Sequence, residues 1–264
     1  MPLQLAFEDL GDGPPVVVLH GLFGSSRNWR GIARALSAEH RVICVDLRNH
    51  GRSPWIGSMT YSEMAADVRA LIRSERLDRP VVIGHSMGGK TAMTLALESP
   101  ESVGRLIAVD IAPVSYADRL TPYVEAMLSI DPRTTADRAE AMRQMSEKIP
   151  DATAVAFLMQ NLVVRNDHFD WQLNLPAIGA AIPELCAFPA ELAARRFDGP
   201  AALITGRLRD AGRQRGICRA VPPDTDGRDR WRRPLGPRRS AGRVSGCAGA
   251  GASHRGASTR TDAR

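Results

Sequence analysis

Short apolar runs alternate with segments of helical periodicity along most of this chain, and no other feature constrains its fold as strongly. The strand-like runs are residues 16–20, 41–45, 80–83, 105–109 and 201–205, and the helical segments lie at 28–36, 62–74 and 89–98. A run that is apolar at nearly every position is typical of a strand buried on both faces. The alternation indicates right-handed crossover connections. It therefore predicts an α/β fold with a mostly parallel sheet that carries helices on both faces.

The body of the chain divides into three parts by this pattern. Residues 1–115 form the first part of the α/β core, and residues 197–206 return to strand character as a further core strand. Between them, residues 116–196 show only helical periodicity, with amphipathic segments at 134–149 and 152–164. We interpret this insertion between two strands of the sheet as a helical lid over the carboxyl edge of the sheet.

Residues 207–264 form an aberrant tail that is rich in Arg, Gly and Ala. The tail contains 15 Arg, 5 Asp and neither Lys nor Glu, so its formal charge is +10, whereas residues 1–206 carry −4. Its few aliphatic residues follow no periodicity and bury too little apolar surface to offset the entropy of ordering. We predict that the tail is disordered and that the strand and helix that would complete the core are missing. Because the basic excess lies in the tail, the net charge of +6 does not indicate that the body binds nucleic acid.

Cysteine usage and hydropathy bear on the cellular setting. Cys44, Cys186, Cys218 and Cys247 show no metal-binding or redox spacing, which is typical of reduced thiols in a cytoplasm. The N-terminus lacks a basic start followed by an apolar stretch, so we expect no signal peptide. No apolar run predicts a membrane span. We therefore expect a cytoplasmic protein.

The pattern of a nucleophile turn, G-x-S-x-G, occurs at Gly84-His85-Ser86-Met87-Gly88. It lies directly between a predicted strand and a predicted helix, which is the context that such a turn requires. Its glycines are needed where neighbouring main chain passes too close for a Cβ atom. The turn would present Ser86 as a nucleophile, with the N–H of Met87 at the helix N-terminus donating to an oxyanion. The alternative is a Gly–Ser turn that matches the pattern by chance.

Two further loops follow predicted strands and can reach the same edge of the sheet. The first, residues 20–24, is rich in Gly, and we predict that the N–H of Leu22 is the second oxyanion donor. We interpret His20 as a structural hydrogen-bonding residue. The second loop, residues 46–54, is charged and contains Arg48 and His50. Either its polar side chains pack the loop internally or one of these two residues contacts substrate, and we favour the structural interpretation.

Four motifs resemble one known family. They are R-N-H-G-R-S-P at 48–54, G-H-S-M-G-G-K at 84–90, R-L-I-A-V-D-I-A-P at 105–113 and W-Q-L-N-L at 171–175. With them, residues 1–206 resemble the α/β-hydrolase superfamily and, within it, small bacterial esterases and their mitochondrial α/β-hydrolase-domain relatives. The resemblance implies an α/β-hydrolase fold with a helical lid. It also implies hydrolysis of a small acyl ester or thioester, of short to medium acyl length, through a serine acyl-enzyme, with no metal and no organic cofactor.

The resemblance assigns one further catalytic residue and leaves another unassigned. Asp110 follows a predicted strand, at a position that the resembling esterases use for the acid that orients a histidine beside Ser86. An acid in the broken loop after the strand at 201–205 is an alternative, and Asp110 could instead cap the lid. No catalytic histidine is assignable. The family places it after the last strand, where this chain has only His254, and we expect His85 to point away from the nucleophile.

A frameshift explains the missing histidine. The residues from Asp229 to Ser240 can be encoded so that the frame displaced by one base reads Ile-Ala-Gly-Ala-Gly-His-Trp-Val-His-Ala-Asp, which is similar to the family's histidine segment. The same frame can yield Tyr-Val-Thr-Pro upstream and Arg-Pro-Ala-Glu-Phe-Leu-Ala-Ala-Leu downstream. We interpret the frame as having slipped at about positions 207–208, so that the lost histidine straddles Pro234 and Leu235. The alternative is a genuine divergent tail.

Two functions from other classes are alternatives to catalysis. Without its histidine, the chain could be a non-catalytic protein of the hydrolase fold that binds a small ligand or a partner under the lid. The Arg-rich tail could bind a polyanion electrostatically. We disfavour this second alternative and expect no nucleic-acid partner, because the arginines lie on no periodic face and Trp231 is the only aromatic residue of the tail.

Overall fold

A seven-stranded sheet forms the centre of the protein. The computed structural model describes residues 1–205 and the backbone of Arg219–Val221, which all belong to one compact unit, Met1–Trp231. The strands are β1 (Phe7–Leu10), β2 (Pro15–Leu19), β3 (Arg41–Val45), β4 (Val81–His85), β5 (Arg105–Val109), β6 (Leu162–Arg165), β7 (His168–Trp171), β8 (Ala201–Thr205) and β9 (Arg219–Val221). The sheet has the order β1-β3-β2-β4-β5-β8-β9. Its five inner strands are parallel, and β1 and β9 are antiparallel at the two edges.

Seven α-helices of the described residues surround this sheet and form the lid. They are α1 (Arg30–Leu36), α2 (Tyr61–Ser74), α3 (Met87–Glu98), α4 (Thr121–Leu128), α5 (Arg138–Lys148), α6 (Ala152–Leu158) and α7 (Leu175–Cys186). The predicted α/β class, with a mostly parallel sheet, is confirmed, and each of the five predicted strands is present to within two residues. β1 lacks a strong apolar run and was not among the predicted strands.

Hydrophobic packing on both faces of the sheet follows from the alternation of side chains along its strands. On one face, Val18 of β2 and Val42 of β3 pack with Ala33 of α1. On the other face, Val17 and Ile43 belong to the large cluster that includes residues of α2 and α3. All five side chains are at most 1% exposed. Burial on both faces is why these strands are continuously apolar in the sequence.

The start of α2 differs from the pattern-based expectation. The periodicity of 62–74 suggests Ser62 as the N-cap, but the helix begins at Tyr61 and Thr60 is its N-cap. The Thr60 side chain accepts from the N–H of Glu63, and the Glu63 carboxylate accepts from the N–H of Thr60 at 2.9 Å. This reciprocal capping box satisfies two N–H groups at once, which a Ser62 cap would not do.

The lid is not purely helical, and the prediction of helices alone over 116–196 is wrong. The helical pattern of 152–164 ends as α6 at Leu158, and β6 and β7 form an antiparallel hairpin with Leu162 opposite Trp171. The turn residues Asn166 and Asp167 have φ values of 46° and 65°. Asn and Asp tolerate this left-handed conformation, and two such residues in succession suit a two-residue hairpin turn.

One short strand lies within the predicted tail. Arg219–Val221 pairs antiparallel with β8, with Ala220 opposite Ile204, so a three-residue strand lies within the segment that the sequence predicts to carry little stable structure. The free edge of β8 offers main-chain N–H and C=O groups, which can pair with any extended segment whatever its side chains. The other tail residues, including those on which the predictions of disorder, of a missing strand and helix and of a frameshift bear, lie outside the described residues.

One segment of the described chain, Leu175–Leu192, has the length and composition of a membrane span, with a mean hydropathy of 1.2. The sequence pattern predicted no span. The segment contains α7, which ends at Cys186, and its Ile178 and Ile182 side chains are buried in the hydrophobic core. Packing in the core accounts for the apolar character of this helix.

A buried ion pair fastens the loop after β3 to α2. The Arg48 guanidinium donates to both carboxylate oxygens of Asp67, from Nε at 2.7 Å and from Nη2 at 3.0 Å. The two side chains are 3% and 0% exposed. The Asp67 carboxylate also accepts the N–H of Leu3 at 2.7 Å. This geometry confirms the structural interpretation of Arg48, whose side chain is committed to the interior.

Substitution of Arg48 by Met should lower the free energy of unfolding by about 3 kcal/mol or more, because it leaves the Asp67 carboxylate buried without its counter-charge. The matched control is Arg30→Met, which removes a surface ion pair with Glu8 and should change the free energy of unfolding far less, because solvent screens an exposed pair. Urea unfolding of the two variants and the parent measures both values. Equal losses in the two variants would contradict the assigned role of the buried pair.

Candidate active site

A sharp turn between β4 and α3 carries Ser86. The serine adopts φ 49° and ψ −115°, a left-handed conformation that is strained for a residue with a side chain. Its N–H donates to the carbonyl of Val109 at 3.0 Å, and its carbonyl accepts from the N–H of Lys90 at 3.0 Å. The neighbouring strand and the first turn of the helix therefore hold the serine in this conformation. The predicted strand–turn–helix context of the motif is present.

The glycines on either side of Ser86 lie where a Cβ atom would collide with main chain. A Cβ on Gly84 would lie 2.2 Å from the carbonyl oxygen of Gly88. A Cβ on Gly88 would lie 2.5 Å from the carbonyl oxygens of both Leu19 and His20. The helix thus packs against the ends of β2 and β4 at a separation that only glycine permits.

An apolar cleft opens beside Ser86, between the core and the lid. Its volume is about 440 Å³. The core side contributes Leu22, His85 and Ser86, and the lid side includes Tyr123 of α4 and Phe157 of α6. Ser86 is half-buried at this boundary. The volume and the mostly apolar lining are typical of a small-molecule site with one polar group at the reacting position.

The two predicted oxyanion donors lie next to this cleft. Leu22 borders it within a tight turn, closed by the hydrogen bond from Gly24 N–H to the Gly21 carbonyl at 2.9 Å. The N–H of Leu22 donates to no group among the described residues. Met87 is the first residue of α3, so its N–H has no acceptor within the helix. Neither N–H group therefore has an acceptor among the described residues, and their role as oxyanion donors stays a prediction.

Asp110 directly follows β5, at the same edge of the sheet. Its φ is 52°, and its N–H donates to the Ile204 carbonyl at 2.8 Å. The side chain is exposed. Burial lowers the pKa of His85, and the negative charge of Asp110 opposes this effect. The role of Asp110 as the acid that orients a base stays a prediction.

The described histidines include none that is hydrogen-bonded to the nucleophile. His20 and His50 are buried and engaged with the backbone, since His20 bonds to Gly21 and Leu47 and His50 bonds to Arg48 and Phe23. His40 lies in the turn after α1, and His168 lies on the lid hairpin.

His85 makes no hydrogen bond to Ser86 among the described residues, and the expectation that it points away from the nucleophile stays a prediction. The residue borders the apolar cleft together with Ser86, and its Nδ1 lies 2.8 Å from the position of a Cβ on Gly21. The Ser86 hydroxyl nonetheless has no hydrogen-bond partner among the described residues. The remaining histidine, His254, lies outside them.

The charged loop after β3 binds the lid to the core, a role that the sequence did not reveal. The main chain of Asn49 accepts the N–H of Asn174 at 3.0 Å, and Gly51 N–H donates to the carbonyl of Gln172 at 3.1 Å. His50 forms an isolated antiparallel bridge with Leu173. The R-N-H-G and W-Q-L-N motifs thus form one connection between elements that are far apart in the chain. Neither Arg48 nor His50 borders the apolar cleft.

Lys90, in the first turns of α3, forms a second connection to the lid. Its ammonium is buried and donates to the carbonyls at the end of α7, at 2.5 Å from Ala187, 3.0 Å from Cys186 and 3.4 Å from Leu185. It also lies 5.6 Å from the centre of the Tyr61 ring. Burial lowers the pKa of Lys90 to about 8. A cation at a helix C-terminus stabilises that helix, so the nucleophile helix and the last lid helix are fixed to each other.

Among the described residues, neither a reactive cysteine nor a metal-binding group is found. Cys44 is buried, and burial raises the pKa of its thiol to about 12. Within the residues that the structure describes, no group of three or more His, Cys, Asp or Glu side chains could hold a metal ion.

Comparisons with known proteins show the family to which the chain belongs. A family described as alpha/beta hydrolase fold matches residues 14–193. The chain is 40% identical over 209 residues to the sn-1-specific diacylglycerol lipase ABHD11 of Xenopus tropicalis, covering 76% of this chain and 65% of the relative. It is 34% identical over 196 residues to the esterase YbfF of Escherichia coli, covering 73% of each chain.

One solved esterase structure has a similar fold. A marine microorganism esterase superposes with a TM-score of 0.75 at 36% identity, covering 78% of this chain and 82% of that one. The chain spans only 59% to 65% of the length of the three ABHD11 relatives from frogs and zebrafish.

Substitution of Gly88 by Ala should abolish the geometry of the Ser86 turn, because the new Cβ would lie 2.5 Å from two main-chain oxygens. We expect a loss of several kcal/mol in the free energy of unfolding, on the order of that for overpacking a core. The matched control is Gly31→Ala in α1, where a Cβ meets nothing within 4 Å and alanine should stabilise the helix by up to about 1 kcal/mol. Thermal unfolding compares them, and a Gly88→Ala variant as stable as the control would refute the close approach.

Acid should destabilise the protein through His50. Burial lowers the pKa of His50 to about 3, and the nearby His20 adds to the effect. In the unfolded chain a histidine titrates near 6.5, so the unfolded state binds a proton below that pH that the folded state does not. As the pH is lowered from 6.5 to 3, the free energy of unfolding should therefore decrease by about 1.4 kcal/mol per pH unit because of this residue. In a His50→Gln variant, the slope of the free energy of unfolding against pH, measured by urea unfolding, should be smaller by that amount. Parallel profiles of the variant and the parent would contradict the prediction.

Proposed function

The chain belongs to the α/β-hydrolase fold family, and from this premise we propose that it is a serine hydrolase that cleaves small carboxylic esters or thioesters through an acyl-enzyme. The observation that carries the proposal is the strained, half-buried Ser86 at the edge of an apolar cleft, between two N–H groups without acceptors. The esterase and lipase names of its relatives support the same reaction class.

In the proposed reaction, the acyl chain occupies the apolar cleft and the Ser86 oxygen attacks the ester carbonyl. The N–H groups of Leu22 and Met87 donate to the oxyanion that forms, in a site that is preorganised by the turn and by the start of α3. Collapse of the tetrahedral intermediate expels the alcohol or thiol and leaves the acyl group on Ser86. Water then attacks the carbonyl of the acyl-enzyme, and the same N–H groups stabilise the second oxyanion. Its collapse releases the carboxylic acid and restores the Ser86 hydroxyl.

Proton transfer in this reaction requires a base that the described residues do not supply. We propose that the ancestral base was a histidine oriented by Asp110, and that a frameshift at about positions 207–208 removed it from this chain. The absence of a hydrogen-bond partner for the Ser86 hydroxyl among the described residues supports this account. The chain as written should then be nearly inactive, because loss of the histidine from a serine triad costs on the order of 10⁶ in kcat.

The same unpartnered hydroxyl favours a second candidate function, a non-catalytic protein of the hydrolase fold that binds a small ligand in the apolar cleft. The two candidates differ in the reactivity of Ser86. A fluorophosphonate probe labels a serine only when a base activates it. Labelling of a chain whose coding frame is restored after Gly206 supports the hydrolase, whereas ligand binding without labelling of that restored chain supports the second candidate.

Replacement of Ser86 by Ala should abolish any hydrolysis of p-nitrophenyl butyrate and any fluorophosphonate labelling, since both reactions need the same oxygen. Ser53→Ala is a suitable comparison, because Ser53 is buried in the loop after β3 and lies away from the cleft. If the Ser86→Ala variant hydrolysed the ester as fast as the parent, Ser86 would not be the nucleophile.

A chain whose coding frame is restored after Gly206 should regain a strand, a histidine and a closing helix together. We expect it to hydrolyse p-nitrophenyl butyrate on the order of 10⁴-fold faster than the chain as written, or more. Replacing Pro234 by His in the present frame should not restore activity, because the surrounding strand and turn would still be missing. Equal activity of the written and restored chains would overturn the frameshift account.

A further inference from the structure

A second, polar pocket lies beside the apolar cleft, where the loop after β2 meets the lid. Its volume is about 230 Å³. The core contributes Arg27 and Asn28, and the lid contributes Arg138, Gln160 and Gln172. None of these residues has a role in the proposed acyl-transfer steps. The pocket exists only because the lid hairpin and α5 fold against this loop.

The pocket carries positive charge without a compensating acid. Its lining includes the arginines Arg27 and Arg138 and no Asp or Glu among the described residues. The nearest acid along the chain, Asp137, accepts the N–H of Glu140 at 2.8 Å as the cap of α5. Two guanidinium groups around one small cavity attract an anion, and arginine suits the geometry of carboxylate and phosphate.

The two arginines differ in how firmly they are held. Arg138 donates from Nη1 to the carbonyl of Met159 at 2.7 Å and from Nη2 to the carbonyl of Leu162, so its charge is fixed in place. Arg27 is exposed, and its guanidinium has no hydrogen bond or ion pair among the described residues. Its donors are therefore available to a ligand.

Amide groups supply further unused donors. The Asn28 side chain donates to Oε1 of Gln160 at 3.0 Å, which fixes the Gln160 amide and leaves its NH₂ group without an acceptor in the described chain. The side chain of Gln172 likewise makes no hydrogen bond among the described residues, although it borders the pocket. A pocket that combines free amide donors with arginine is complementary to an oxygen-rich anion.

The polar pocket adjoins the apolar cleft, because Phe23 and Asn28 line both. One molecule can therefore place an apolar chain in the cleft and a charged group in the pocket. We propose that the pocket binds an anionic group, a phosphate or a carboxylate, on the leaving-group side of the ester or thioester. The placement on the leaving-group side rests on the proposed function, whereas binding of the anion does not require catalysis.

Calorimetric titration of the full chain with hexyl phosphate, heptanoate and hexanol tests the pocket directly. These probes share an apolar chain and differ in the end group. We expect hexyl phosphate or heptanoate to bind more tightly than hexanol, with the stronger of the two identifying the anion. The Arg27→Gln variant should lose about fivefold or more in affinity for that anion and none for hexanol. Added salt should weaken the binding of the anion alone.

The control variant is Arg105→Gln, which removes an exposed arginine at the start of β5, the opposite end of the strands from the site. It should bind all three probes as the parent does. The charge-reversed Arg27→Glu should prefer hexylamine to hexyl phosphate.

Three outcomes would overturn the proposal. The Arg27→Gln variant could bind the anion as tightly as the parent does, it could lose as much affinity for hexanol as for the anion, or the parent could bind none of the probes. Anion selectivity in a chain whose frame is restored after Gly206, but whose Ser86 is still not labelled by fluorophosphonate, would refute the hydrolase and leave the pocket standing.

Discussion

The close contact of main chain around Ser86 is the constraint on which the rest of the site depends. Gly84 and Gly88 bring β4, α3 and the end of β2 within a separation that excludes any Cβ atom. This contact places the serine, the start of the helix and the loop of Leu22 at one point. A parallel sheet makes the convergence possible, because the carboxyl ends of all its inner strands face the same edge. Asp110 follows β5 at the same edge for the same reason.

The lid is fastened to this core by buried polar contacts. Main-chain bonds from the loop after β3 reach Asn174 and Gln172, and the Lys90 ammonium binds the end of α7. Taking charges out of water is costly, and these groups are tolerated because each has partners: Arg48 has Asp67, and Lys90 has three carbonyls. The apolar cleft and the polar pocket both lie along the boundary that these contacts hold together, so the shape of the substrate site depends on them.

The sequence predicted most of the core because its signals are local. A strand buried on both faces must be apolar throughout, and a nucleophile turn must have glycine on both sides. The lid was predicted less well. The residues of β6 continue the amphipathic pattern of α6, and only the Asn166–Asp167 turn, with its two positive φ values, distinguishes a hairpin from a longer helix.

By itself, then, the sequence determined the order of the core elements, the family and the position of Ser86, since each is written in neighbouring residues. Only the tertiary structure decided how the lid is held and where charge collects. Lys90 meets Ala187 across 97 positions, and Asn28 meets Gln160 across 132. No periodicity links residues so distant, because such contacts arise from the packing of whole elements. The pocket between Arg27 and Arg138 also depends on such distant contacts, because its lining comes both from the loop after β2 and from the lid that packs against it.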